Sequence, residues 1–274
     1  MMIPMATTPA PAFTLYWQPG CTSCLRAREF LAARGIAFES VNVQADATAL
    51  GRLAALGLRS VPVLVRGDEF VFAQDLGEVA RFVGLPFDAR RLEPSVLFER
   101  LGELLDWAAA LAARWPAERL RDRLPERPRR HADLLFHVAM IVEGLLDAAD
   151  PQRDAALTYA HFERLPGEAD IGPQQLAGQL LATRAALQAA RDRCLARGPG
   201  ALLRTYYGER PAHEVLERST WHVAQHLRQL HHLATEVLAL PDAPALAPRL
   251  LAGLPLPERV WDAEMTFAAT PVAG

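Results

Sequence analysis

The chain has 274 residues, of which 51% are hydrophobic and 22% charged, with a formal net charge of -3. That length accommodates one large or two modest domains with ample material for a core. The slight acidity argues against a general nucleic-acid binder, and no apolar run approaches the roughly 18 residues of a membrane span.

In chain order, residues 1–11 read as a flexible Pro/Ala/Thr tail, and the opening MMIPMATTPAPA has no basic-then-apolar secretory pattern. The cytoplasm is therefore the expected compartment. FTLYW (13–17) reads as a strand followed by a Pro-Gly turn. A helix follows, with Leu25, Phe30 and Leu31 at helical spacing and Gly35 as its stop. IAFESVNV alternates like a strand, and DATALGRLAALGL reads as a second helix. VPVLVRGDEFVFA is a hairpin turning at Gly67-Asp68, and LGEVARFVGL closes the segment as a helix. The order is βαβαββα, in a domain expected over 12–88.

Residues 89–274 then change character. Helical patterns cover 94–115, 130–148, 173–196 and 211–239, with no further strand expected, so this part is read as an antiparallel four-helix bundle. The connection AERLRDRLPERPRR offers Arg119, Arg121, Arg123, Arg127, Arg129 and Arg130 to an anionic substrate, but interleaves them with Glu118, Asp122 and Glu126, which favours a solvated loop. The Pro-rich tail is expected to pack Leu254, Leu256 and Trp261 onto the bundle. No lysine occurs, so all 29 basic residues are arginine, a bias that fits a GC-rich bacterial genome.

Chemistry is unevenly placed. All eight histidines lie at or after residue 131, and two of the three cysteines before residue 25. PGCTSC puts Cys21 at a helix start, where unpaired N–H groups and the helix dipole stabilise a thiolate. Cys24, one turn deeper, can resolve a mixed disulfide formed at Cys21. A zinc-holding pair or an inert remnant is the alternative, but a closed zinc site needs four ligands and this half supplies no others. PGCTSC, the SVP of residues 60–62 and the hairpin together resemble the thioredoxin fold, glutaredoxin branch, over residues 12–86. That resemblance implies Cys21 as nucleophile, Cys24 as resolving thiol, and a cis Pro62 that shapes a groove in which the Val61 backbone holds a peptide-like thiol. Thr22 and Ser23 replace the family's usual Pro and Tyr. AQDLGE replaces its Gly-Gly and acidic pair, leaving Asp75 as the candidate for a γ-glutamyl end.

TWHVAQHLRQL places His222 and His226 at i and i+4, stacked on one helix face with Gln229, while His213, His231 and His232 point elsewhere. His137 sits in the apolar stripe of Leu134, Val138, Ile141 and Leu145 and is expected to face inward. A shared metal is one account of these three, and ordinary hydrogen-bonded or exposed histidines are the other. The four-helix block, its HxxxH and the closing GLPLPERVWD resemble the DinB-like superfamily over residues 94–262. That resemblance implies His137, His222 and His226 as ligands of a divalent metal, zinc ahead of nickel, iron or manganese. It also implies thiol-dependent chemistry in which the metal activates a low-molecular-weight thiol.

The expected fold is therefore α+β multidomain: a thioredoxin-like α/β domain followed by an all-α DinB-like four-helix bundle. The expected function is a thiol transferase or thiol-disulfide oxidoreductase acting on small-molecule thiols and disulfides, glutathione or another thiol among them. A disulfide reductase with a structural bundle and a non-enzymatic redox or metal sensor are the alternatives. No nucleic-acid or membrane partner is expected, and a homodimer through the bundle is left open. Tyr206 and Tyr207 are placed before the last helix, lining a cavity or merely packing, and Cys194 is read as a small buried apolar residue.

Overall fold

The computed structural model describes residues 12–88, 90–124 and 129–262. The expected tail, residues 1–11, lies outside these, as do Glu126 and Arg127 of the connection. The chain divides into two compact units, the second beginning at Arg90.

The first unit runs β1 (Phe13–Trp17), α1 (Thr22–Ala33), β2 (Phe38–Asn42), α2 (Ala49–Ala55), β3 (Val63–Arg66), β4 (Glu69–Phe72) and α3 (Leu76–Phe82). The four strands form one mixed sheet in the order β2-β1-β3-β4, with β1 parallel to β2 and the other pairs antiparallel. Strand alternation sorts the core onto two faces. Leu15 and Leu64 bury one face with Ala27, Phe30 and Leu31 of α1 and Val79 and Ala80 of α3. Tyr16, Val63 and Val65 bury the other with Ala49 and Leu53 of α2. Gly67 adopts φ 60°, which suits the tight β3–β4 turn that glycine allows.

The second unit is carried by four long helices, α4 (Pro94–Ala112), α5 (His131–Ala149), α7 (Pro173–Ala196) and α8 (Ala212–His232), with a short α6 (Ala160–Glu163) between α5 and α7. Proline opens α4 and α7 at the first turn, where its missing N–H costs nothing. α4 and α5 each pack against both α7 and α8. α5 is buried on nearly all sides, whereas α7 buries a single stripe: Leu176, Leu180, Thr183, Leu187, Ala190 and Cys194.

Two features depart from the sequence expectation and a third extends it. A hairpin, β5 (Leu202–Thr205) and β6 (Gly208–Pro211), occupies a stretch where no strand was expected. Tyr206 and Tyr207 form its turn rather than a lead-in to α8. Leu157 is bridged to Thr205, which ties the segment before α6 to this hairpin. In the arginine-rich connection, Arg119 and Arg121 pair with Asp122 and Glu168, as a solvated loop predicts, while Arg130 pairs with the buried Asp133. Arg129 instead is desolvated, and burial holds its guanidinium below its ordinary pKa. Finally, the C-terminal tail is fastened by polar groups of α8. Gln225 and Gln229 donate to the Val260 carbonyl, and Arg228 to those of Pro257 and Glu258. Leu254 is also buried, at 9% exposed.

Candidate functional site

Two sets of reactive side chains stand out, one in each unit. In the first, Cys21 is the N-cap of α1, and its Sγ accepts the Cys24 amide at 3.2 Å. An orphan helix donor therefore points at the sulfur, which favours a thiolate there. The two sulfurs lie at disulfide distance, with Cα atoms 5.2 Å apart. Cys24 is fully buried while Cys21 is only half-buried, so Cys21 is the sulfur a substrate reaches first.

Strand register sets what surrounds it. Tyr16 is paired with Val63, and Val63 with Phe72. The end of β1, the start of β3 and the end of β4 therefore share one end of the sheet. Cys21, Pro62 and Asp75 all belong to segments leaving that end. The Val61–Pro62 peptide is cis. The Val61 carbonyl accepts from Gln74 Nε2 at 3.3 Å, and the Pro62 carbonyl from the Ala73 amide at 3.0 Å. Asp75 caps α3, its Oδ1 accepting from the Gly77 and Glu78 amides at 2.6 and 3.3 Å, a cap worth about 1 kcal/mol.

In the second unit, His137 of α5 meets His222 and His226 of α8. Their candidate ligand nitrogens all lie within 4.8 Å of one another, and all three rings are buried. Ring centroids are 5.0 Å apart for His137 and His226 and 4.8 Å for His222 and His226. Gln229, one turn beyond, is where the helical spacing predicts it. Its Oε1 lies 2.8 Å from His226 Nδ1, while its amide nitrogen is committed to the Val260 carbonyl. That amide orientation makes Nδ1 the protonated nitrogen of His226, leaving a lone pair on Nε2. His226 Nε2 stands 3.1 Å from His222 Nε2. His137 Nδ1 and His222 Nδ1 are buried with no hydrogen-bond partner.

Burial, reinforced by neighbouring positive charge, pushes the His137 and His222 pKa values well below the usual histidine value. The charges that help are Arg129, Arg218 and the other imidazoles. Both rings are thus neutral at pH 7, the state in which imidazole donates a lone pair to a metal. Three buried imidazoles, with His137 and His222 held neutral, are a donor set suited to a divalent transition metal.

Sequence reasoning missed two residues at this cluster, Phe162 and Arg218, and read a third, Arg129, as part of a solvated loop. Phe162 of α6 packs at a steep ring angle against His137 and His222, at 5.6 and 5.8 Å between centroids. Arg218 precedes His222 by one turn and is 6% exposed. Arg129 comes from the connection. Only Arg218 had a local signal, since 218, 222 and 226 repeat every four residues; Phe162 and Arg129 arrive through tertiary packing. Cys194 is buried in the apolar stripe of α7, and burial raises its thiol to about 11.

Residues 13–71 match the glutaredoxin family model. No curated protein and no solved structure matches the chain. The first unit is a glutaredoxin-like redox domain with a thioredoxin-like mixed sheet, and a helical region follows it. The general activity of that family is thiol–disulfide oxidoreduction. No helix among the described residues is long and apolar enough to cross a membrane.

Proposed function

We propose that the protein is a thiol-dependent enzyme in which a glutaredoxin-like dithiol is joined to a DinB-like helical unit that holds a divalent metal and works on a low-molecular-weight thiol. The observation that carries the reading is the convergence of His137, His222 and His226 within 4.8 Å, on a chain that also bears a helix-capping CxxC. Nitrogens bound tetrahedrally at about 2.0–2.1 Å from zinc lie ~3.3 Å apart. The 3.1 Å between His222 Nε2 and His226 Nε2 is close to that spacing. The buried, unpartnered Nδ1 of His137 adds to the case, because such an atom is costly unless something completes it.

In the first unit, Cys21 thiolate attacks a disulfide R–S–S–R′. One sulfur is bonded to Cys21 and the other leaves as R′S⁻. Cys24, as thiolate, then attacks Cys21 Sγ, releasing RS⁻ and closing the Cys21–Cys24 disulfide. Two electrons have passed to the substrate, and two equivalents of an external small thiol such as glutathione return them, leaving as their own disulfide. Val61, Pro62 and Asp75 are assigned to holding that thiol. In the second unit, His137, His222 and His226 would hold the metal, and its charge would lower the pKa of a thiol brought beside it. Gln229 fixes the His226 tautomer, and Phe162 walls the His137–His222 side against water.

The test is metal content. Purified full-length protein is expected to hold about one divalent ion per chain, lost when His222 and His226 are both replaced by Ala. Protein that holds none after reconstitution with zinc, nickel, iron or manganese would leave a disulfide reductase with a structural helical unit.

A further inference from the structure

Arg218 is a buried cation without a counter-anion. Its side chain lies one helical turn before His222 and two before His226 on α8, and it is 6% exposed. Its Nη2 donates to Tyr206 Oη at 2.8 Å, while Nε and Nη1 are buried without a hydrogen-bond partner. No carboxylate pairs with it among the described residues. Aromatic rings enclose it, with Tyr207, Tyr206 and Phe162 at 5.1, 5.6 and 5.7 Å from the guanidinium carbon. Phe162 is the same ring that touches His137 and His222. Arg129 adds a second desolvated guanidinium that makes no side-chain hydrogen bond or ion pair among the described residues. Its charge and that of Arg218 are both felt at His137 and His222.

We infer that Arg218, with Tyr206 beside it and Arg129 nearby, forms a subsite for the carboxylate of a small molecule bound next to the three-histidine cluster. Ring faces offset only part of the desolvation of a buried guanidinium, and a hydrogen-bonded anion offsets the rest. A guanidinium presents its N–H groups as a planar fork, which matches the two oxygens of a carboxylate. One helical turn, about 5.4 Å, separates Arg218 from His222 along α8, so one compact molecule spans the guanidinium and the imidazoles. The inference deepens the proposed function and rests on it for the neighbouring metal, but the anion subsite itself needs no metal.

The experiment uses full-length protein, first freed of metal, with thermal unfolding and calorimetry as readouts. Propionate and 3-mercaptopropionate should raise the melting temperature by about 2–4 °C near saturation, and 2-mercaptoethanol should not. Arg218→Met should lose the carboxylate response without a lower baseline melting temperature, because it removes an unpaired buried charge. If that variant does not fold, Arg218→Lys serves, with propionate binding expected to weaken at least tenfold. The joint His222→Ala, His226→Ala variant should keep a propionate response that depends on Arg218, even though it cannot hold metal. A wild-type protein indifferent to both carboxylates, or an Arg218 variant that binds them as the wild type does, would overturn the subsite and leave the metal reading standing. An Arg218-dependent response in protein that never binds metal would do the reverse. In zinc-loaded protein, 3-mercaptopropionate binding tighter than both of its parts would place the carboxylate on the thiol. Independent binding of propionate and 2-mercaptoethanol would place it on the second substrate.

Discussion

Cys21 and Cys194 show how position decides what a thiol does. Cys21 caps a helix, is half-buried, and receives an amide hydrogen on its sulfur. Cys194 lies in the buried stripe of α7, with its pKa raised to about 11 by desolvation. At pH 8 a thiol of that acidity is only ~0.1% thiolate. In reduced native protein, iodoacetamide should therefore modify Cys21 first and Cys194 only after denaturation, as read by peptide mass spectrometry. Cys21→Ser should bring hydroxyethyl-disulfide reduction down to background. Cys194 modified alongside Cys21 in the native state, or an intact rate in Cys21→Ser, would refute these assignments. The CxxC was legible because helix capping and cysteine acidity are local. The exposure difference between Cys21 and Cys24 was not, since it depends on what the rest of the unit lays over Cys24.

At the scale of elements, α8 does several jobs with one periodic face. Arg218, His222, His226 and Gln229 follow one another at three- and four-residue steps, and Gln229 joins His226 to the Val260 carbonyl of the tail. A partner on the non-ligating nitrogen orients a ligand imidazole and raises its basicity. Gln229→Leu removes that partner while keeping a helix-compatible side chain. It is expected to weaken zinc binding about 10–100-fold, measured by chelator competition, with unchanged helix content. Unaltered affinity would reduce Gln229 to a fastener for the tail. The four long helices were readable because their apolar period runs over many turns, and the His137 stripe pointed inward for the same reason. The β5–β6 hairpin was not. Its strands have four residues each, Leu202 is 57% exposed, and its anchor is Leu157, more than forty residues upstream. Arg129 was misread for a related reason: the local charge pattern says solvated, while burial comes from elements distant in sequence.

Across the whole molecule, the uneven placement of histidine makes acid sensitivity a property of the helical unit. Every histidine lies at or after residue 131. His131, His137 and His222 are buried, and burial is the largest cause holding each below the ordinary value. His131 packs edge-on against Trp115 at 5.3 Å, outside the three-histidine cluster. In the unfolded chain these imidazoles take up protons near pH 6.5, and in the folded chain only at lower pH. Unfolding therefore binds protons in that window, and stability falls as pH drops below about 6.5 toward the folded-state values. Carboxylates act lower. Asp150, held down first by its hydrogen bonds to Arg193, loses its contribution only below the usual carboxylate range. The interval from pH 7.5 to 5 thus isolates histidine. Metal-free protein should show a urea midpoint, followed by far-UV circular dichroism, that is steady above pH 7.5 and declines through this interval. Zinc should raise the midpoint most at the alkaline end, because protons compete for His137 and His222 as pH falls. The two curves then converge toward pH 5. The slope due to His131 remains in both, since that ring lies outside the cluster. A midpoint that stays flat from pH 7.5 to 5 without metal would mean that these imidazoles bind protons in the folded chain as readily as in the unfolded one, and the neutral donor pair of His137 and His222 would go with it.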